Sequence, residues 1–142
     1  MSVLQQVSFK VKSDLKALDE VLSNFDNINQ PWIPKKDWLQ CQLALAEGFT
    51  NAVRHAHKDI KTDVFIEIEI KLTPESLEIR IWDSGPFFDL ENFLKIKSNQ
   101  DHGFAGHGQG LAILQKIAAQ LSYQRTDDGR NCLLIIKKFF LP

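Results

Sequence analysis

The chain has 142 residues, of which 44% are hydrophobic, and its formal net charge at pH 7 is −1. This length and apolar content predict one domain over residues 1–142, with a single core, and exclude two separate cores. The charges are mixed along the chain, so it lacks the basic field that sequence-independent nucleic-acid binding requires. We therefore expect no direct nucleic-acid partner.

Cysteine usage and apolar runs predict the cellular compartment. Cys41 and Cys132 have no CxxC or Cys/His spacing around them, which favours reduced thiols in or near the core. The N-terminus lacks the basic-then-apolar pattern of a signal peptide, and no apolar run approaches the roughly 18 residues that a membrane span needs. We expect a cytoplasmic protein with no membrane partner.

The N-terminal third changes from strand to helix periodicity. Val7, Phe9 and Val11 alternate with polar residues, which predicts a half-buried strand. Ser13 is predicted to cap a helix whose apolar face comprises Leu15, Leu18, Val21, Leu22 and Phe25. Residues 27–34 contain two prolines and are predicted to be a connection. A second helix should begin between Pro34 and Asp37 and end between Lys58 and Lys61.

The rest of the chain is predicted to contribute most of a sheet. Residues 64–72 and 77–82 alternate and should form a hairpin, with one apolar face and one face carrying Glu67, Glu69, Lys71, Glu78 and Arg80. A helix should follow Gly110, with Leu111, Leu114, Ala118 and Leu121 at helical spacing. A strand pair around residues 127–129 should end with 132–139. The sum is an α+β two-layer sandwich, a mixed, mainly antiparallel sheet with helices on one face.

Residues 87–110 show little periodicity and are longer than most connections, which favours a functional lid. Four of the seven glycines fall in residues 103–110, directly before a predicted helix. Glycines at a helix N-terminus let backbone N–H groups approach an anion, so a phosphate site is predicted here. The segment follows no parallel strand and lacks a GK[ST] ending, so it is neither a dinucleotide fingerprint nor a P-loop.

A polar stripe interrupts the second helix. Glu47, Asn51 and His55 are four residues apart and would share one face of an α-helix. Burying such groups unpaired is costly, so protein groups, water, or a bound metal and phosphate must meet them. A hydrogen-bonded Glu47–Asn51 pair at an exposed edge, and a packing role for His55, are the alternatives.

Three motifs occur in a fixed order: Glu-x-x-x-Asn-Ala-Val-Arg-His-Ala at 47–56, Asp-Ser-Gly at 83–85, and Gly-His-Gly-Gln-Gly-Leu at 106–111. This order resembles the N, G1 and G2 boxes of the GHKL (Bergerat) ATP-binding fold. Among its branches the chain looks most like the small bacterial serine/threonine kinases that act as anti-sigma factors in partner switching. The resemblance spans nearly the whole chain.

The resemblance implies ATP and Mg²⁺ as cofactors and assigns residues to them. Glu47 would be the general base, Asn51 would bind Mg²⁺, Asp83 would accept from the adenine amino group, and Gly85 would let the base lie close. The remaining implied nucleotide contacts are His55, Gly106, His107, Gly108, Gly110 and Leu111.

The implied activity is transfer of the ATP γ-phosphate to a serine or threonine of a STAS-type anti-sigma-factor antagonist. A sigma factor would be a further partner, and a homodimer is typical of this branch. The chain departs from the pattern at Phe87, where many relatives have glycine, and at His107, where arginine is frequent. The alternative is a nucleotide-dependent regulatory binding module with little or no kinase activity.

Overall fold

The computed structural model describes residues 2–58, 63–99 and 109–140. It contains five strands: β1 (Gln5–Lys12), β2 (Phe65–Leu72), β3 (Ser76–Asp83), β4 (Gln120–Arg125) and β5 (Asn131–Lys138). Its helices are α1 (Leu18–Asp26), α2 (Lys35–Asn51), α3 (Leu90–Asn99) and α4 (Gln109–Ile117), with a 3-10 turn at Leu15–Ala17. A π-helical segment, Ala52–Ala56, continues α2.

The strands form one sheet in the order β1-β2-β3-β5-β4, and every pairing between them is antiparallel. Helix α2 packs on β3 and β5 from one side, with α1 and α4 beside it. The predicted two-layer α+β sandwich is confirmed.

Strand periodicity separates the two faces of the sheet. Ile66, Ile68 and Ile70 of β2 are fully buried, whereas the residues between them are half-buried. On the outer face Glu69 lies 3.7 Å from both the Lys71 ammonium and the Arg80 guanidinium. The hairpin therefore has the apolar and charged faces that the alternation predicts.

Gly48 lets α2 lie close to the sheet. A Cβ placed on it would come 2.6 Å from Cδ1 of Ile81 in β3. The apolar face of the helix carries Cys41, Leu45 and Phe49, all fully buried. This close packing fixes the last turn of α2 near the end of β3.

The N-terminal helix begins differently from the prediction. Ser13 is not its cap: the Asp14 side chain accepts from the Lys16 amide at 2.9 Å and caps the short 3-10 turn instead. Leu15 is exposed rather than on a buried face. The Ser13 hydroxyl contacts His57, 44 residues away, so it is not available for capping.

The prediction that Leu121 is helical was wrong. Helix α4 ends at Ile117, and Leu121 lies in β4 opposite Ile135. The Ala119 amide donates to the Ile136 carbonyl at 2.7 Å and so begins the strand ladder. Leucines of the helix and of the strand pack in the same core, which is why their spacing mimics one continuous helix.

The segment predicted to be a lid without periodicity contains α3. Asp89 caps it by accepting from the Asn92 amide at 3.1 Å, and Leu90 and Leu94 bury one face. Residues 100–108, which hold most of the glycine cluster, lie outside the described residues.

Both cysteines are free thiols, as predicted. Burial raises the pKa of Cys41 to about 12 and raises that of Cys132 above its ordinary value. Neither thiol is therefore an activated nucleophile at neutral pH.

A buried ion pair joins the end of the sheet to the start of α2. The Lys137 ammonium lies 3.5 Å from the Asp37 carboxylate, and both residues are less than a tenth exposed. The other Asp37 oxygen accepts from the Phe140 amide at 2.8 Å. This contact anchors residues 137–140 across the N-terminus of α2.

Candidate functional site

Asp83, the last residue of β3, has a buried carboxylate that is almost fully hydrogen-bonded. Its Oδ1 accepts from the Gly85 amide and from Nδ2 of Asn131, both at 2.9 Å. Its Oδ2 accepts from the Tyr123 hydroxyl at 2.8 Å. Because a carboxylate accepts about four hydrogen bonds, one position on Oδ2 remains for a further donor.

Strands β4 and β5 hold the residues that follow Asp83. Asn131 is fully buried, and its Nδ2 also donates to the Gly85 carbonyl at 2.8 Å. Arg125 donates to the same carbonyl at 3.3 Å and to Oδ1 of Asn131 at 3.2 Å. Both ends of the turn at 83–85 are thereby fixed by the neighbouring strands. Neither Asn131 nor Arg125 belongs to a motif that is visible in the sequence.

Tyr123 links Asp83 to an aromatic cluster. Burial, reinforced by the Asp83 charge, raises the pKa of Tyr123, so its hydroxyl stays protonated and donates. The Phe87 ring stacks on Tyr123 with centroids 5.6 Å apart, and the Phe88 ring lies at 4.8 Å. Phe87 itself is half exposed, so part of a ring that stacks on Tyr123 is accessible.

Gly85 lies against the end of the π-helical segment. A Cβ there would collide with the carbonyl of Ala56. The resemblance implies that Gly85 lets the adenine base lie close to the turn. In the described structure the neighbour that requires a glycine is the backbone of Ala56.

His57 makes hydrogen bonds through both of its ring nitrogens, one of them to the same turn. The Ser84 amide donates to Nε2 at 2.8 Å, and Nδ1 lies 2.7 Å from the Ser13 hydroxyl. An amide can only donate, so Nε2 is unprotonated and Nδ1 carries the proton and donates to Ser13. Burial lowers the pKa of His57, and the Asp83 charge opposes this effect less strongly. The imidazole is therefore neutral at pH 7.

Glu47 and Gly110 are brought together from two helices. A Cβ on Gly110 would collide with Oε2 of Glu47, so the carboxylate lies directly against the first turn of α4. Leu111, the next residue, is buried. The candidate base and the start of the candidate phosphate-binding helix are thus in direct contact.

The remaining predicted site residues are only partly described. Asn51 is half-buried at the end of α2. His55 lies in the π-helical segment, closed by a bond from the His57 amide to the Ala52 carbonyl at 3.0 Å. The four-residue spacing of the stripe therefore holds only to Asn51. Gly106, His107 and Gly108 are outside the described residues.

Within residues 2–58, 63–99 and 109–140, none of the helices has the length and apolar character that crossing a membrane demands.

The sheet and the helices on one of its faces form an α+β sandwich. The candidate site lies at one end of the sheet, where the polar cluster surrounds the end of β3. The model of the histidine kinase-like ATPase domain family matches residues 11–137, and the chain belongs to that family. The resemblance to the GHKL ATP-binding fold is thereby confirmed.

Two curated relatives are similar over a shorter stretch. Each is named serine-protein kinase RsbW, one from Listeria innocua serovar 6a and one from Listeria monocytogenes serotype 4a. Both are 40% identical over 50 residues, which cover 35% of this chain and 31% of the relative. The match thus spans less than a third of each relative's length.

A solved structure is similar over the whole chain at low identity. It is the NMR structure of the histidine kinase domain of the E. coli osmosensor EnvZ, with a TM-score of 0.47 and 15% identity. The similarity covers 100% of this chain and 91% of that one.

Proposed function

We propose that this chain is an ATP-dependent serine/threonine protein kinase that acts as an anti-sigma factor and phosphorylates a STAS-type antagonist protein. The observation that carries the proposal is the contact of the Glu47 carboxylate with the first turn of α4, at the end of the molecule that also carries Asp83. The names of the two Listeria relatives support the kinase activity. A sigma factor as a second partner and a homodimer belong to the same proposal.

The described residues fit an adenine nucleotide. Asp83 retains one acceptor position, which suits a single amino group, and its donor Tyr123 stacks on the half-exposed Phe87 ring. The N-terminal turn of α4 offers backbone N–H groups and the positive end of a helix dipole to an anion. The Glu47 carboxylate fits against this turn only because Gly110 has no side chain.

Asn51 suits a magnesium ion that is bound mainly by phosphates and water. Such an ion takes one or two oxygen ligands from the protein, and an amide oxygen qualifies. When bound, it would neutralise negative charge on the phosphate oxygens. We assign His55, Gly106, His107 and Gly108 to the phosphates on the strength of the resemblance.

Glu47 is assigned the proton from the attacking hydroxyl. A carboxylate within hydrogen-bond reach orients a serine or threonine hydroxyl and accepts its proton, and such general-base catalysis contributes about 10²–10⁴ to a rate. The contact with the first turn of α4 holds the Glu47 carboxylate at the start of the helix that is proposed to bind the phosphates.

The second candidate is a nucleotide-dependent binding module with little or no transfer activity. The observation that favours it is the stacking of Phe87 on Tyr123, because Phe87 stands where many family members have glycine. An aromatic ring at this position packs on Tyr123, the residue that donates to Asp83. Nucleotide binding would survive in such a module even if transfer were slow.

The first experiment is calorimetric titration with ADP and a non-hydrolysable ATP analogue, each with and without Mg²⁺. We expect micromolar affinity, with Mg²⁺ strengthening the triphosphate only. Asp83→Asn should abolish binding, and Asn51→Ala should remove the Mg²⁺-dependent part alone. Absence of binding by the folded wild-type protein would contradict both candidates.

The second experiment separates the two candidates. Purified STAS-type antagonists are incubated with labelled ATP, and phosphoserine or phosphothreonine is detected by mass spectrometry. Glu47→Gln should lower transfer by about 10² or more while leaving ADP affinity within about twofold of the wild type. Equal transfer by Glu47→Gln would overturn the base assignment, and no transfer by the wild type to any antagonist would favour the binding module.

A further inference from the structure

We propose that His57 is the positioning residue of the base-recognition turn, residues 83–85. As a neutral imidazole protonated at Nδ1, it holds Ser84 and, through Ser84, the orientation of the Asp83 carboxylate. His57 would thereby set the preference for a base with an exocyclic amino group. The inference rests on the proposed nucleotide-binding function.

The geometry joins three distant parts of the chain. Ser13 follows β1, His57 follows the π-helical segment, and Ser84 follows β3, with separations of 44 and 27 residues from His57. His57 is only 5% exposed, so water does not readily replace either bond. The imidazole is the one described side chain hydrogen-bonded to the Ser84 amide.

The packing of the next residue supports the same role independently. Gly85 lies so close to Ala56 that no side chain fits between them. Two consecutive residues of the turn, Ser84 and Gly85, therefore contact two consecutive residues of the helix end, Ala56 and His57. Since Asp83 directly precedes Ser84, a shift of the turn moves its carboxylate, which has a single acceptor position to offer.

Ser13 partners the ring nitrogen that faces away from the turn. The Ser84 amide can only donate and so requires Nε2 as an acceptor, and the Ser13 hydroxyl then accepts from Nδ1–H. Protonation of the ring would place a second donor opposite the Ser84 N–H and break this bond. Among the described groups, Asp83 of β3 is the charge that acts on His57, and Ser13 and Ser84 face it as neutral groups.

The test compares ADP with IDP, which lacks the exocyclic amino group, by calorimetry at pH 7.5. Wild type should prefer ADP by about tenfold, the value of one hydrogen bond to a charged acceptor. His57→Phe should reduce this preference to within about twofold, because the Ser84 amide loses its acceptor. His57→Gln should keep the wild-type preference for ADP, since the glutamine amide oxygen can accept from Ser84 and the amide nitrogen can donate to Ser13. Lys58→Ala, at an exposed neighbour, is the matched control and should equal wild type.

A ratio of two affinities is insensitive to a general loss of stability, which would lower both. If His57→Phe does not fold, the ¹⁵N spectrum of the wild-type imidazole decides. It should show the neutral ring protonated at Nδ1 at pH 7.5, and Ser13→Ala should shift the tautomer equilibrium. An Nε2-protonated ring or an imidazolium would overturn the inference.

The outcomes also separate this inference from the proposed function. A wild type that binds neither nucleotide contradicts nucleotide binding itself, and the positioning role fails with it. A wild type that prefers ADP, together with a folded His57→Phe variant of unchanged preference, overturns the positioning role alone.

Discussion

The carboxylate of Glu47 lies directly against the backbone of Gly110, so the last turns of α2 and the first turn of α4 are in contact through a residue without a side chain. The two residues belong to different motifs and are 63 positions apart in the sequence. A candidate base held on one helix is therefore positioned by the start of another.

Gly110→Ala should destabilise the protein, although alanine in a helix is normally favoured over glycine by about 0.5–1 kcal/mol. Overpacking against Glu47 should cost about 1–3 kcal/mol in the free energy of unfolding, measured by urea denaturation. The double variant Glu47→Ala/Gly110→Ala removes the colliding carboxylate and should recover that loss. Equal effects of Gly110→Ala in both backgrounds would show that the contact is not made.

Gly85→Ala should be more damaging, because the added methyl group meets the Ala56 carbonyl and backbone cannot move aside as a side chain can. We expect a loss of at least about 2 kcal/mol in unfolding free energy, together with loss of ADP binding. Gly129→Ala is the control: Gly129 has φ of +84° with open space around it. It should cost about 1–2 kcal/mol through backbone strain and leave ADP affinity unchanged. A Gly85→Ala variant that binds ADP normally would contradict the close packing.

Tyr123 is the single tyrosine of the chain, so its ionisation can be followed directly by ultraviolet absorbance. Its folded pKa is raised above the ordinary value of about 10, by burial first and by the Asp83 charge second. The resulting stability is fully present below pH 10 and is lost at higher pH, by about 1.4 kcal/mol per pH unit, as the unfolded state ionises. Tyrosinate should appear only together with alkaline unfolding. A tyrosinate signal near pH 10 from a protein with native circular dichroism would refute this environment.

Asp37→Ala should leave the Lys137 ammonium buried without its partner and the Phe140 amide without its acceptor. The expected loss is about 3–5 kcal/mol in unfolding free energy, measured by chemical denaturation. Lys138→Ala, on the exposed neighbour of Lys137, should change it by no more than about 0.5 kcal/mol. Similar values for the two variants would mean that water reaches the ion pair.

The sequence predicts the sheet well because strand alternation is a local property. Every second residue of β2 is an isoleucine or leucine that is fully buried. Period-2 patterning fixes which side of a strand faces the core, whatever lies on the rest of the chain. Glu47 and Asn51 are found for a similar reason, since two polar residues four apart interrupt an apolar helix.

The network around Asp83 cannot be predicted in this way. Tyr123 and Asn131 lie 40 and 48 residues from Asp83, and Ser13 lies 44 residues from His57. Each is an ordinary residue of its own strand or connection, and only the antiparallel register brings them together. The π-helical segment has no compositional signature either, so the sequence does not indicate that His57 contacts the turn at residues 83–85.

The carboxylate of Asp83 serves two purposes, and this limits what its presence in a related sequence can mean. Two of its hydrogen bonds tie the end of β3 to β4 and β5, and a third closes its own turn at Gly85, whatever occupies the fourth position. A descendant that had lost its ligand would still be under selection to retain this aspartate, because its removal would leave buried donors unpaired. An intact Asp-x-Gly motif in a related sequence therefore indicates that the fold is retained, and it does not by itself indicate that nucleotide binding is retained.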